Sequence, residues 1–171
     1  MHHEAMLPPV FVGRILVATS ELVDPSFNQT LVWVAEHSAD GALGFILNRP
    51  MEKTLGDVAG GPGLTDSLRE VPLGFGGPVR PDQLALVVFV LEAGRLVCRW
   101  GLPPEQLEVF QADPAARVRA YLGYAGWGEG QLDREWRDGA WKVVEPDPAM
   151  LEPRLARGLW PLVIEGDERW K

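Results

Sequence analysis

The 171-residue chain has one cysteine, three histidines and two tyrosines. One cysteine cannot close an internal disulfide, so a secreted disulfide scaffold and a cysteine-based zinc cluster are both excluded. His2 and His3 stand beside the first residue, and only His37 lies further in. No H-E-x-x-H or C-x-x-C spacing occurs, so no metal site is expected. Basic residues are scarce: 16 Lys and Arg face 24 Asp and Glu, for a net charge of −8. Such a field repels nucleic acid and anionic membrane. Arg95, Arg99, Arg117 and Arg119 are the one candidate basic patch, and they mix with Glu92, Glu105, Glu108 and Asp113. No apolar run approaches the length of a membrane span. The opening Met1-His2-His3-Glu4 lacks the basic region and apolar core of a signal peptide. A G-x-S-x-G elbow, a P-loop and a dinucleotide fingerprint are all missing, so no cofactor is expected.

Apolar residues, by contrast, make up 46% of the chain, with 19 glycines, 15 prolines and seven tryptophans. At this length they can bury one ordinary core. Val10–Ala18 reads as a strand interrupted at Gly13-Arg14. Asp24-Pro25-Ser26-Phe27-Asn28 reads as a loop or single turn with Phe27 as its buried anchor. Gln29–His37 alternates with apolar residues on both faces, as in a central covered strand. Ser38–Gly41 is a tight turn, Ala42–Leu47 the returning strand, and Asn48-Arg49-Pro50 its stop. Thr54–Ala59 reads as a short capped helix, and Gly74–Pro78 as a turn. Leu84–Leu91 and Arg95–Trp100 form a second hairpin, with Cys98 as a strand side chain rather than a nucleophile.

Asp113-Pro114 has the form of a helix start, predicting a helix through Leu122 that Gly123 ends. A second helix is predicted from Gly130 to Asp138, with Leu132 and Trp136 as its stripe and Asp133/Arg137 as a surface pair. Asp147-Pro148 starts a third short helix through Leu155, and Leu159–Glu165 reads as a closing strand. The expected fold is α+β: a single compact body around a mixed, largely antiparallel sheet, with helices in the C-terminal half. A flexible N-terminus over residues 1–9, a domain over 10–165 and fraying ends at 166–171 complete the division.

Chemistry-bearing candidates are few. Glu36 and His37 are adjacent on a strand and so point to opposite faces. His37 is either an acid, base or ligand, or a strand-end residue bonded to the neighbouring turn. Arg49, with Asn48, can bind an anion bidentately, or pair with Asp24, Glu36 or Asp82 to fix a loop. Tyr121, Tyr124, Trp127, Trp136 and Trp141 suit core packing or a protein interface better than base stacking, given their acidic neighbours.

Leu16-Val17-Ala18, Asp24-Pro25-Ser26-Phe27, Glu36-His37, Gly41–Gly44 and Asn48-Arg49-Pro50 occur in an order that resembles the AlgH family (YqgE, UPF0301, DUF179). Gly77-Pro78-Val79, Leu122–Gly128 with Gln131-Leu132 and Glu135, and Ala140-Trp141 extend the resemblance over roughly residues 11–150. It implies a compact α+β bacterial protein of the cytoplasm without an established enzymatic activity. Some members carry a transcriptional-regulator label connected with alginate production. His37, Asn48, Arg49, Gly77, Tyr124, Trp127 and Gln131 fall at turns or element ends, positions that either converge in a cleft or fix difficult turns. The expected function is a small non-catalytic binding or regulatory protein, with a protein partner or second copy on an aromatic surface. The alternatives are an enzyme or small-anion binder using His37 and Arg49, and a nucleic-acid-linked regulator.

Overall fold

The computed structural model describes residues 7–61 and 63–165. Residues 1–6 of the expected flexible N-terminus, with His2 and His3, and the expected fraying segment 166–171 lie outside the described residues.

Alternating apolar residues build the early sheet as expected. Strand β1 (Ile15–Ala18) pairs antiparallel with β2 (Leu31–Ser38), which turns into β3 (Gly41–Ile46). Val10–Arg14 stays outside β1, although Phe11 is buried. Strand β4 (Pro50–Thr54) begins at the proline expected to stop the hairpin. Thr54 caps α1 (Leu55–Val58) in a capping box with Asp57, and α2 (Asp66–Arg69) follows. Strand β5 (Pro72–Phe75) occupies the start of the segment read as a turn at Gly74–Pro78. Strands β6 (Val79–Glu92) and β7 (Arg95–Trp100) form the second hairpin, with β6 longer than expected. Helix α3 (Pro104–Gln111) was not foreseen.

The helix expected from Pro114 to Leu122 is instead β8 (Ala116–Trp127), a 12-residue strand. Asp113 does cap, but only a turn: its side chain accepts from the Ala115 amide at 2.8 Å and its carbonyl from the Ala116 amide. Val118, Tyr121 and Leu122 fit a helical stripe, yet Ala116, Val118 and Ala120, then Ala125 and Trp127, are buried at the two-residue period of a strand. Partners on both edges decide between the two patterns. Strand β6 pairs along one edge of β8, while β5 (parallel) and β3 (antiparallel) share the other. After β8 come α4 (Gln131–Arg137), the unforeseen β9 (Trp141–Val144), 3-10 turns at Pro148–Leu151 and Pro153–Leu155, and α5 (Ala156–Ile164). The strand expected at Leu159–Glu165 is thus helical. Ala156, Leu159 and Val163 are buried at spacings of three and four, and packing them against the core favours the helix despite Pro161.

The sheet runs β4-β5-β8-β3-β2-β1-β9, with β6 and then β7 beyond β8. It curls into a half-barrel around Trp33, Phe45, Phe89 and Tyr121, closed below by Met150, Leu159 and Val163. Each fully buried aromatic removes enough surface from water to contribute on the order of 2–3 kcal/mol. The outer face of β1–β3 packs on α4 through Phe11, Val32, Trp127 and Trp141. The outer face of β6 and β8 packs on α1, α2 and α3 through Leu55, Leu68, Val88 and Leu107. No helix among the described residues is long and apolar enough to cross a membrane.

The curl requires main chains to touch where β5 leads past β8 into β6. A Cβ on Gly77 would overlap the Tyr124 carbonyl group, and one on Gly123 (φ +76°) would overlap the Gly77 oxygen. Gly77→Ala is therefore expected to lose roughly 3 kcal/mol or more. Gly60→Ala, with no atom of the described residues within 4 Å of the added carbon, should change stability by less than about 0.5 kcal/mol. Urea unfolding midpoints compare the two, and equal midpoints would contradict the crossing geometry.

Candidate functional site

Helix α4 organises three of the candidates, His37, Trp127 and Gln131. Gly130 adopts a left-handed conformation (φ +68°) that turns the chain into the helix, and the Gln131 Oε1 accepts from the Gly128 amide at 2.9 Å. Gln131 and Glu135 lie one turn apart on one face. The Glu135 carboxylate takes three donors. Its Oε1 accepts from the indole N–H of Trp127 at 3.0 Å and of Trp141 at 2.9 Å, and its Oε2 accepts from the Gln131 amide at 2.8 Å. The two indoles meet edge to face at 6.0 Å, and Phe27 stacks on Trp127 at 6.1 Å. Half-buried Phe27 is thus the anchor that its loop was expected to need.

That loop is closed by Asp24, which accepts from the Ser26, Phe27 and Asn28 amides. Asn48 and Arg49 hold it from the strand side. Asn48 Oδ1 accepts from the Leu31 amide at 2.8 Å, and its Nδ2 donates to the Gln29 carbonyl at 2.9 Å. The Arg49 guanidinium donates to the Ser26 carbonyl at 2.7 Å and to those of Pro25 and Asn28 at 3.2 Å. It bonds backbone, not the carboxylate of Asp24, Glu36 or Asp82. Burial lowers the Arg49 pKa, while the nearby Asp24 charge raises it.

His37 bonds across to α4 rather than to its own turn: Nε2 lies 2.9 Å from Asp133 Oδ1, and Phe11 meets the ring edge-on at 5.0 Å. Asp133 therefore faces His37, not Arg137. His37 pairs with Ala42 at the turn end of the β2–β3 hairpin, whereas Arg49 follows the opposite end, beyond the Val32–Ile46 pair. Five strand residues, roughly 17 Å of rise, separate those two levels. Trp127 and Gln131 are brought together, and His37 joins the same helix. Asn48 and Arg49 form a second cluster on the loop of Phe27, which stacks on Trp127. Gly77 lies at the main-chain crossing. No group of three or more His, Cys, Asp or Glu side chains able to hold a metal occurs among the described residues.

Tyr124 is different. Half-buried and without a side-chain hydrogen bond among the described residues, it stands between two adjoining clefts. One, of about 480 Å³, opens on the half-barrel interior between Leu43, Phe45, Ala85, Trp100 and Leu102. Trp100, 38% exposed, meets Phe45 edge-on at 6.1 Å, and Phe45 stacks on Tyr121 at 5.3 Å. The other, of about 420 Å³, runs from Leu43 and Tyr124 past Val79 to Glu36 and Asp40. A larger cleft of about 630 Å³ follows the β6–β7 hairpin, with Cys98 in its wall. Burial pushes the Cys98 thiol up to about 12.

Sequence reasoning missed Leu43, Phe45 and Trp100 as groove walls, and Glu135 as the shared acceptor. Trp100 at the end of an alternating strand, and the Gln131/Glu135 spacing beside Trp127, were the available signals.

A family model described as DUF179, AlgH-like, matches residues 15–166. A UPF0301 protein of Streptomyces coelicolor is 37% identical over 175 residues, covering 89% of this chain and 84% of that protein. A UPF0301 protein of Chlorobium luteolum is 34% identical, covering 89% and 83%. Among solved structures, the solution structure of the AlgH protein from Pseudomonas aeruginosa superposes with a TM-score of 0.63 at 27% identity, covering 94% of this chain and 92% of that one.

Because Glu135 accepts from Gln131, Glu135→Gln sets its amide against that of Gln131. About 1–3 kcal/mol of stability should be lost. Adding Gln131→Glu restores an acceptor facing that amide and keeps one for Gly128. The double variant should recover about 1 kcal/mol or more of that loss in a double-mutant unfolding cycle. Additive losses would rule out the arrangement.

Proposed function

The chain belongs to the AlgH-like DUF179 family, and we propose that it acts there as a small non-catalytic binding protein of the cytoplasm whose site is the aromatic mouth of the half-barrel. One observation carries this reading. The side chains suited to chemistry are bonded into the scaffold, whereas Trp100 and Tyr124, with Leu43 and Phe45, line an accessible cleft with their polar atoms unpartnered among the described residues. Concave, mostly apolar surfaces with a few polar groups are where proteins take ligands. Trp and Tyr supply large contact area and one donor each.

The enzyme or anion-binder reading needs His37 and Arg49 on one ligand. Their separate partners, at opposite ends of a hairpin, weigh against it. The net charge of −8 weighs against a nucleic-acid role. Cys98 is the single thiol, and its raised pKa keeps it protonated, hence a poor nucleophile.

Titration of the ¹⁵N-labelled protein with indole tests the site. Saturable shifts are expected at Leu43, Phe45, Tyr124 and the Trp100 indole N–H, with millimolar affinity lost in Trp100→Ala. No saturable shift, or shifts centred on His37 and Arg49, would refute the reading. A second check uses Ellman's reagent at pH 8. Cys98 in the folded protein should react on the order of 100-fold more slowly than in urea, and comparable rates would contradict its raised pKa.

A further inference from the structure

The two clefts that meet at Leu43 and Tyr124 form one groove with unlike ends. At the half-barrel mouth the walls are Phe45, Trp100 and Leu102. At the β2–β3 turn they are Glu36 and Asp40, both exposed and in no ion pair among the described residues. Among the described residues no lysine or arginine lines either cleft. The middle of the groove borders a bulge in β6. Val79 pairs with Tyr124 and Leu84 with Leu122, so residues 80–83 face no partner on β8. Gln83 from this bulge lines the mouth. Main-chain groups outside the β6–β8 ladder thus flank the groove, as an extended chain would need for backbone hydrogen bonds.

We propose that the groove is the docking site of a basic, apolar segment of a protein partner. The segment sets a Leu, Phe or Trp side chain against Trp100 and Phe45, and a Lys or Arg against Glu36 and Asp40. This rests on the binding reading above and names the partner class for that same groove. Charge complementarity decides the occupant. An acidic or neutral apolar segment gains nothing from the two carboxylates, and a basic one pairs with both while an aromatic anchor fills the mouth. A second copy of this chain would bring net negative charge to an acidic rim.

Panning a random 12-residue peptide library against the immobilised full chain, then measuring the enriched peptides by fluorescence polarisation, tests the proposal. Enriched sequences should carry Lys or Arg within a few residues of Leu, Phe or Trp. The Glu36→Gln/Asp40→Asn variant should bind them about fivefold more weakly at low salt, with the difference shrinking as salt rises. Trp100→Ala should abolish binding. All these positions are exposed, and circular dichroism of each variant checks that it remains folded. Acidic or uncharged enriched sequences, or affinity indifferent to the carboxylates, would overturn the proposal. So would a dimer in sedimentation that protects Trp100. If indole binds at the mouth but no basic peptide is enriched, the partner class fails and the binding reading stands; if neither binds, both fail.

Discussion

Three N–H groups converge on the Glu135 carboxylate, and the placement of the outer layer follows from that convergence. Trp127 ends β8, Trp141 begins β9, and Gln131 and Glu135 belong to the helix between them. A carboxylate that accepts both indoles fixes where the helix lies across the sheet. The two rings then form the surface on which Phe27 sits, and Phe27 carries the loop that Asn48 and Arg49 clamp from the far side. Buried indole donors are costly to leave unpaired, so removing the Glu135 acceptor destabilises this layer.

That arrangement explains why residues with the look of an active site do not form one. Arginine, asparagine, histidine and glutamine at turns are the residue types that anion sites and acid–base pairs use. They are also the types that can satisfy backbone carbonyls and amides where no ladder reaches. Arg49 donates to three carbonyls of one loop, those of Pro25, Ser26 and Asn28, a task its fork of N–H groups suits better than any other side chain. The surface left for recognition is the one built from less conspicuous residues: a leucine, a phenylalanine, a tryptophan and a tyrosine around the half-barrel mouth.

The sequence was legible where local pattern and tertiary demand agreed. The hairpin from Gln29 to Leu47 alternates up to a bulge at Ala35 and has a glycine-ended turn, and α4 has Leu132 and Trp136 on one stripe. It misled where two periods fit the same residues. In Ala116–Leu122 a capping Asp, a Pro and a three-four spacing all speak for helix, and only the open edges of β3, β5 and β6 decide for strand. In Leu159–Glu165 a short apolar run reads as strand until Ala156 is counted with it. The site was half visible. Trp127, Gln131 and Tyr124 stood out, and the donors of the shared carboxylate lie only 4 to 8 residues from it, but the meeting of Phe45 with Trp100 joins positions 55 residues apart, which no local window shows.

Indole hydrogen exchange, read by ¹⁵N NMR on the native protein, separates scaffold from site in one experiment. The account predicts that the Trp127 and Trp141 indole protons exchange only through rare opening events, among the slowest in the protein, while the Trp100 indole proton exchanges rapidly with solvent. Fast exchange at Trp127 and Trp141, or strong protection at Trp100, would contradict it.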